Sequence, residues 1–221
     1  MEKLGYLTEQ QKTVLLKFSQ SDFLKNTFYF SGGTALSAVY LQHRYSDDLD
    51  FFSTHKFDGF AVLAIAQTWA SELKIELASR SIGNIYNLDL KFSPEYSLQV
   101  EFVDYPYQPI EKLGVIEGLG IKTESYKDIA INKFMVVSQR ADIKDFIDLY
   151  FILKDFSVYE LFELSNKKFK RDYDLLLFAA DLLKVEKFDY LPRMVRPVDL
   201  AEVKHYFVDL AQKLGIKTTA R

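Results

Sequence analysis

The chain of 221 residues contains no cysteine. That absence removes disulfides, thiolate zinc sites and cysteine nucleophiles together, and it fits a reducing cytosol. Histidine is nearly as scarce: His43, His55 and His205 are too few for histidine-rich metal chemistry. No stretch approaches the roughly 20 apolar residues that a membrane span requires. The opening Met1-Glu2-Lys3-Leu4-Gly5-Tyr6 has no apolar run that could serve as a signal peptide. A surplus of positive charge is missing as well, since the net charge of −3 gives no overall basic signature for nucleic-acid binding. Internal repeats and low-complexity segments are absent. A soluble, cytoplasmic protein without a membrane partner is expected.

What is present is ordinary globular material. Hydrophobic residues at 48% and charged residues at 27% suit one large domain or two small ones sharing an interface. The charge is unevenly spread. Acidic residues outnumber basic ones as far as about residue 165, and basic ones outnumber acidic ones over 166–221. The cations Lys167, Lys168, Lys170, Arg171, Lys184, Lys187, Arg193 and Arg196 are therefore candidate contacts to a phosphate backbone.

Periodicity divides the chain. Thr8 and Gln11 resemble a capping box opening one helix that runs to about Asn26. A short aromatic strand follows over 27–30 and ends at Ser31-Gly32-Gly33. A helix is expected from Thr34 to Gln42, a strand over Leu49–Phe52, and a further helix from about Asp58 to Leu73. Residues 75–104 alternate like strands, with turns near Gly83 and Pro94. An irregular piece with Gly114, Gly118 and Gly120 leads into a C-terminal part that is helical throughout, with helices expected near 125–139, 142–155, 158–169, 173–184 and 199–213. A mixed-sheet domain over residues 1–122 followed by a helical domain over 123–221 is the α+β organisation this order implies.

The chemistry concentrates in Asp48-Leu49-Asp50. Side chains at i and i+2 of a strand share a face, so both carboxylates can reach one ion. Mg²⁺ takes hard oxygen ligands, typically one or two carboxylates with water and substrate phosphates. Without a cation, two crowded carboxylates would repel and one would tend to stay protonated. A D-x-D alone is common in turns and on polar strand faces. Its neighbour strengthens it: Ser31-Gly32-Gly33-Thr34 joins a strand to a helix, where backbone N–H groups and the helix dipole favour an anion. Glycine there lets a phosphate approach the backbone closely.

These residues carry a family resemblance. Gly32-Gly33-Thr34-Ala35-Leu36, Tyr40-Leu41-Gln42-His43-Arg44 and Ser46-Asp47-Asp48-Leu49-Asp50-Phe51-Phe52 together resemble the first motif of the AbiEii/AbiGii-type nucleotidyltransferases, within the DNA polymerase β-like superfamily. Ser125-Tyr126-Lys127-Asp128-Ile129-Ala130-Ile131-Asn132-Lys133, with Arg140 and Lys144-Asp145-Phe146-Ile147-Asp148-Leu149-Tyr150, is similar to the family's lysine-bearing helix and the segment after it. The resemblance spans about residues 28–153. It implies a polymerase β-like nucleotidyltransferase domain, a mixed sheet flanked by helices, followed by a C-terminal helical bundle.

The resemblance also implies roles. Asp48 and Asp50 become the ligands of Mg²⁺, or of Mn²⁺ in its place. Gly33 and Thr34 contact the nucleotide phosphates while Gly32 shapes the turn. Lys133 becomes the triphosphate lysine, Asp145 a carboxylate near the active centre, and Asp148 its support. Superfamily members usually add a third carboxylate from a neighbouring strand. Glu101 is the choice for it, on the polar side of the strand Leu98–Val103, with Asp89 and Asp104 as competitors. His43 and Arg44, part of the first motif, are read as orienting the D-x-D loop or pairing with a carboxylate, and neither as catalytic. The reaction implied is transfer of a nucleotide from an NTP to an acceptor hydroxyl, and the acceptor the resemblance points to is an RNA, such as a tRNA 3′ end. The protein would act as the toxin of a bacterial toxin–antitoxin or phage-exclusion system with a cognate antitoxin. Two alternatives remain open: kinase-like phosphoryl transfer on the same fold, and a catalytically silent nucleotide-binding module.

Overall fold

The first helix stops early because of a serine. The computed structural model describes residues 4–219, and side chains as far as residue 215. Residues 1–3, which open the stretch searched for a leader, and 220–221 lie outside the described residues. Helix α1, Glu9–Ser19, begins on the expected capping box: the Thr8 side chain accepts from the Gln11 amide while Gln11 reaches back to the Thr8 backbone. The single helix expected to about Asn26 is two. Ser21 is extended (φ −99°, ψ 114°), and its side chain caps a separate helix α2, Asp22–Thr27. Serine competes with the helix for its own backbone, and here it wins.

Strand β1, Tyr29–Ser31, leads straight into the short helix α3, Gly32–Ala35. Helix α3 widens at once into a π-helical turn over Leu36–Leu41, ended by Gln42 in the left-handed region with its N–H on the Ser37 carbonyl. Such i→i+5 turns are rare and cluster at functional sites. Strand β2, Leu49–Ser53, and helix α4, Gly59–Leu73, follow. Then come the strands β3 (Glu76–Ile82), β4 (Ile85–Ser93) and β5 (Tyr96–Asp104). Two strands, β6 (Gly114–Ile116) and β7 (Ile121–Thr123), occupy the segment expected to be irregular. Three residues each is too short for an alternation to register in sequence.

These strands form one mixed sheet in the order β3-β4-β5-β2-β1-β7-β6. Strand β2 is antiparallel to β1 and parallel to β5, and β1 is parallel to β7. Along β2, Leu49, Phe51 and Ser53 are buried, whereas Asp50 and Phe52 are half-buried. One face thus belongs to the core and the other stays more open. On the core face Phe51 stacks on Phe18 of α1 at 4.1 Å and on Phe102 of β5 at 5.5 Å. All three are fully buried, and each contributes roughly 1.5–3 kcal/mol of hydrophobic stabilisation.

The chain divides into two compact units, Met1–Ser125 and Tyr126–Arg221. The second is helical: α5 (Tyr126–Gln139), α6 (Ile143–Ile152), α7 (Val158–Phe169), α8 (Leu175–Leu182) with a 3₁₀ turn to Lys187, and α9 (Leu200–Thr219). Phe134 of α5 stacks on Phe178 of α8 at 4.0 Å, and Phe146 of α6 meets Phe207 of α9 edge-on at 5.4 Å. Among the described residues no helix is long and apolar enough to cross a membrane.

One expected surface cation is internal. Lys168 of α7 lies 2.7 Å from the Asp128 carboxylate of α5, and neither side chain has any exposure. It cannot meet a phosphate backbone, and its place in a basic run gave no sign of this. Lys184 is tied to Asp181 and to the Ser138 carbonyl. Lys170, Arg171, Lys187, Arg193 and Arg196 are exposed. Breaking a buried pair strands the remaining charge. Lys168→Met is therefore expected to lower unfolding stability by about 3–5 kcal/mol. Lys167→Met, next to it and exposed, should change stability by under about 0.5 kcal/mol. Urea titration of both variants checks this, and equal effects would contradict the burial of the pair.

Candidate active site

At the end of β1 the chain turns at Gly32 with φ +71°, a conformation L side chains rarely adopt. A Cβ built there would lie 1.8 Å from Oδ2 of Asp50. The backbone of the glycine turn and the Asp50 carboxylate therefore occupy neighbouring space that only glycine leaves open. At Gly33 a Cβ would meet the Arg44 guanidinium at 2.9 Å and the Ser46 hydroxyl at 3.2 Å. The turn is thus flanked by an anion on one side and a cation on the other.

Between Gln42 and the D-x-D the chain has only an isolated bridge at Arg44, so its carbonyls need other partners. Ser37 of the π-helical turn donates to the Arg44 carbonyl, and Arg44 donates to the Tyr45 carbonyl at 2.9 Å. Gln11 of α1 donates to the Ser46 carbonyl at 2.8 Å, and the Thr34 hydroxyl donates to the Asp48 carbonyl. Gln11, Ser37, Thr34, His43 and Arg44 are all buried. Thr34 thus fastens the glycine turn directly to the first aspartate. Asp48 stands immediately before β2 and Asp50 within it, both half-buried.

Strand register identifies the neighbours of Asp50. Ser31 of β1 lies opposite it on one side and Glu101 of β5 on the other, and Asn87 of β4 lies opposite Glu101. Gln99, two residues from Glu101 on the same face, donates to Glu101 at 2.6 Å and to Asn87 at 2.9 Å. Of the competitors, Asp89 pairs with Gln99, a step further along, and Asp104 pairs with Ser53 at the far end of β2. On the other flank the Ser31 hydroxyl donates to the carboxylate of Glu124, which is fully buried. Tyr40 donates to the Glu124 carbonyl at 2.7 Å. Gln99 was discoverable from its two-residue offset to Glu101. Nothing in the run Thr123-Glu124-Ser125 marks Glu124.

The donor set suits a hard cation. Asp48 and Asp50 offer carboxylate oxygens, and glycine at 32 keeps the Asp50 carboxylate clear of a side chain. Among the described residues no group of three or more His, Cys, Asp or Glu side chains is arranged to hold a metal ion. The aspartate pair is then the basis of any such site, with water and substrate oxygens completing it.

In the helical unit a second charged cluster forms. Nζ of Lys133 lies 2.8 Å from Oδ1 of Asp145 and 2.7 Å from Oδ2 of Asp148. Arg140 closes on Asp145 through Nε at 2.6 Å and a second nitrogen at 3.2 Å. The helix face carrying Asp145 and Asp148 is not solvated: both are fully buried, and Lys133 is 8% exposed. Burial works against ionisation of Asp145, but Lys133 and then Arg140 outweigh it and hold its carboxyl below the ordinary aspartate value. The expected site residues therefore fall into a set around the glycine turn and a set around Lys133, one in each unit.

The sequence profile of a family described as the nucleotidyl transferase AbiEii toxin of a type IV toxin–antitoxin system matches residues 14–213. The uncharacterised protein aq_aa25 of Aquifex aeolicus strain VF5 is 32% identical over 165 residues, covering 73% of this chain and 75% of that protein. The nucleotidyltransferase toxin MenT4 of Mycobacterium tuberculosis H37Rv superposes with a TM-score of 0.59 at 21% identity, over 93% of this chain and 85% of its own. JHP933 of Helicobacter pylori gives 0.56 at 19% identity, over 96% and 94% of the two chains. At such identities the structural likeness concerns the fold, which is the expected α+β arrangement.

Gly32→Ala should cost roughly 2–4 kcal/mol, from the positive φ and the displaced carboxylate. Combining it with Asp50→Ala should recover about half of that, because only the φ penalty remains. Thermal unfolding of the single and double variants measures both, and a single variant as stable as the parent would refute the close approach. Asp145 gives a pH signature. Its folded pKa is depressed, so its contribution to stability is present above the unfolded value near about 4 and is lost as pH falls through the folded value. The stability gap between the parent and Asp145→Asn should be flat from about pH 7 to 5 and shrink below about pH 4. A gap independent of pH would mean the carboxylate is not charge-stabilised.

Proposed function

Because the chain belongs to the AbiEii family of nucleotidyltransferase toxins, we propose that it transfers a nucleotide from an NTP to a hydroxyl of an RNA in a Mg²⁺-dependent reaction. The observation that carries this reading is the approach of the glycine turn to Asp50, with Thr34 fastened to Asp48. It brings an anion-binding backbone and a pair of cation-binding carboxylates together on one strand–helix junction.

In this mechanism Asp48 and Asp50 would hold the metal, with Glu101 beside Asp50 in the sheet and water and substrate oxygens completing the coordination. When bound, Mg²⁺ neutralises charge developing on the triphosphate and orients the attacking and leaving oxygens for in-line displacement at the α-phosphorus. The backbone of Gly32, Gly33 and Thr34 holds the phosphates. Within the helical unit, Asp145 and Asp148 hold the ammonium of Lys133, the candidate phosphate-binding lysine, in place. The acceptor hydroxyl attacks the α-phosphorus, its proton leaves to solvent or a nearby carboxylate, and pyrophosphate departs. The exposed Lys170, Arg171, Lys187, Arg193 and Arg196 supply cations for an RNA backbone. As a toxin, the protein would be held in check by an antitoxin encoded beside it.

Incubation with total RNA, Mg²⁺ and NTPs labelled separately at the α and γ positions tests the reading. Label from the α position is expected in RNA. Label from the γ position would point to kinase-like transfer instead, and tight NTP binding with no transfer would point to a silent module. Asp48→Ala should reduce transfer to background while the unfolding temperature stays within about 4 °C of the parent. Undiminished transfer by that variant would remove the metal-site assignment.

A further inference from the structure

Phe52 follows Asp50 by two residues on β2 and shares its more open face of the sheet. It belongs to a second aromatic group, separate from the core cluster of Phe18, Phe51 and Phe102 on the opposite face. Tyr29, its partner in register, is buried and meets it edge-on at 6.1 Å. Tyr105 lies against Phe52 at 4.8 Å with its plane tilted by 38°, and Tyr107 meets Tyr105 at 5.0 Å. Phe52, Tyr105 and Tyr107 are half-buried, so the ridge keeps part of its aromatic surface open to solvent. Tyr105 is anchored by its N–H on the Ser53 carbonyl at 2.7 Å, which ties the segment after β5 to the end of β2.

We propose that Phe52 and Tyr105, backed by Tyr29 and Tyr107, form the surface on which the nucleobase of the incoming NTP stacks. The assignment rests on the reading of Asp48, Asp50 and the glycine turn as the phosphate end of the site. Two residues of strand separate Asp50 from Phe52 by about 7 Å, a span that a ribose bridges between phosphate and base. These half-buried aromatic residues are of the apolar, π-rich kind that stacks any base. A ridge at that distance from the metal ligands, on their own face, is continuous with the phosphate site.

Inorganic tripolyphosphate carries the phosphates without the base, so it separates the two halves of the site. Binding of each NTP and of tripolyphosphate, both with Mg²⁺, is measured by calorimetry on the parent, Phe52→Leu, Tyr105→Ala and Tyr105→Phe. Phe52→Leu keeps apolar volume and so guards against a folding defect. The expected result is that Phe52→Leu and Tyr105→Ala weaken NTP binding between roughly five- and 150-fold, the range for one stacked base. Tripolyphosphate binding should stay unchanged in both, and Tyr105→Phe should match the parent. Equal weakening of NTP and tripolyphosphate would make the ridge structural and overturn the proposal. Unaltered NTP binding would overturn it too, including the case in which only the KM for RNA rises because the acceptor's base stacks there. A parent protein that binds neither NTP nor tripolyphosphate would overturn the phosphate site itself, and the ridge assignment with it.

Discussion

The approach of the Asp50 carboxylate to Gly32 is the constraint around which the sheet-bearing unit is organised. A Cβ at position 32 would lie within bonding distance of that carboxylate, so glycine, the positive φ and the aspartate are a single choice. Because β1 and β2 pair in a fixed register, with Ser31 opposite Asp50, the turn cannot drift from Asp48 and Asp50 without breaking the sheet. The Thr34 hydroxyl on the Asp48 carbonyl adds a second fastening on the other side. The proposed reaction needs the glycine turn and the aspartate pair fixed relative to one another before substrate arrives. Here that fixing is done by strand pairing and by side chains buried beneath the loop.

The loop shows how an irregular segment is made rigid. Apart from an isolated bridge at Arg44, residues 44–48 have no regular pairing, and the carbonyls of Arg44, Tyr45, Ser46 and Asp48 are taken by the side chains of Ser37, Arg44, Gln11 and Thr34. The π-helical turn over Leu36–Leu41 shifts the chain so that Ser37 reaches forward while Gln42 closes the helix. Burying Arg44 and Gln11 to hold this loop is costly unless each is bonded, so the bonds and the burial come as a set. In the helical unit the same logic governs charge. Asp145 and Asp148 are fully buried and are compensated by Lys133, with Arg140 adding to Asp145. The Lys168–Asp128 pair has no exposure at all. Low dielectric makes each pairing strong and each disruption expensive.

Residues with a local signature were readable in sequence. Thr8 and Gln11 announced the first helix and Gly32-Gly33 the turn, and Asp48-Leu49-Asp50 marked the start of a strand, because caps, positive φ and strand alternation act over a few residues. The polar side of an apolar strand singled out Glu101, and only the register shows that it, rather than Asp89 or Asp104, lies opposite Asp50. Lys168 was misjudged as a surface cation because a basic run looks alike whether its members face water or a buried carboxylate 40 positions away. Glu124 went unseen because the Ser31 hydroxyl that meets it is 93 positions distant.

The sequence by itself determined the class of the protein: a glycine turn and a D-x-D joined by one helix, then a lysine-bearing helix, in an α+β order. Those features are encoded within short windows, and they sufficed to identify the AbiEii nucleotidyltransferases. Only the tertiary structure decided which carboxylate stands beside Asp50, which cations are internal, and that Tyr105 packs against Phe52 on the face of Asp50. Each of these depends on strand register or helix packing between distant segments. Such relations are selected by the burial of a common core, and no short window of residues records them.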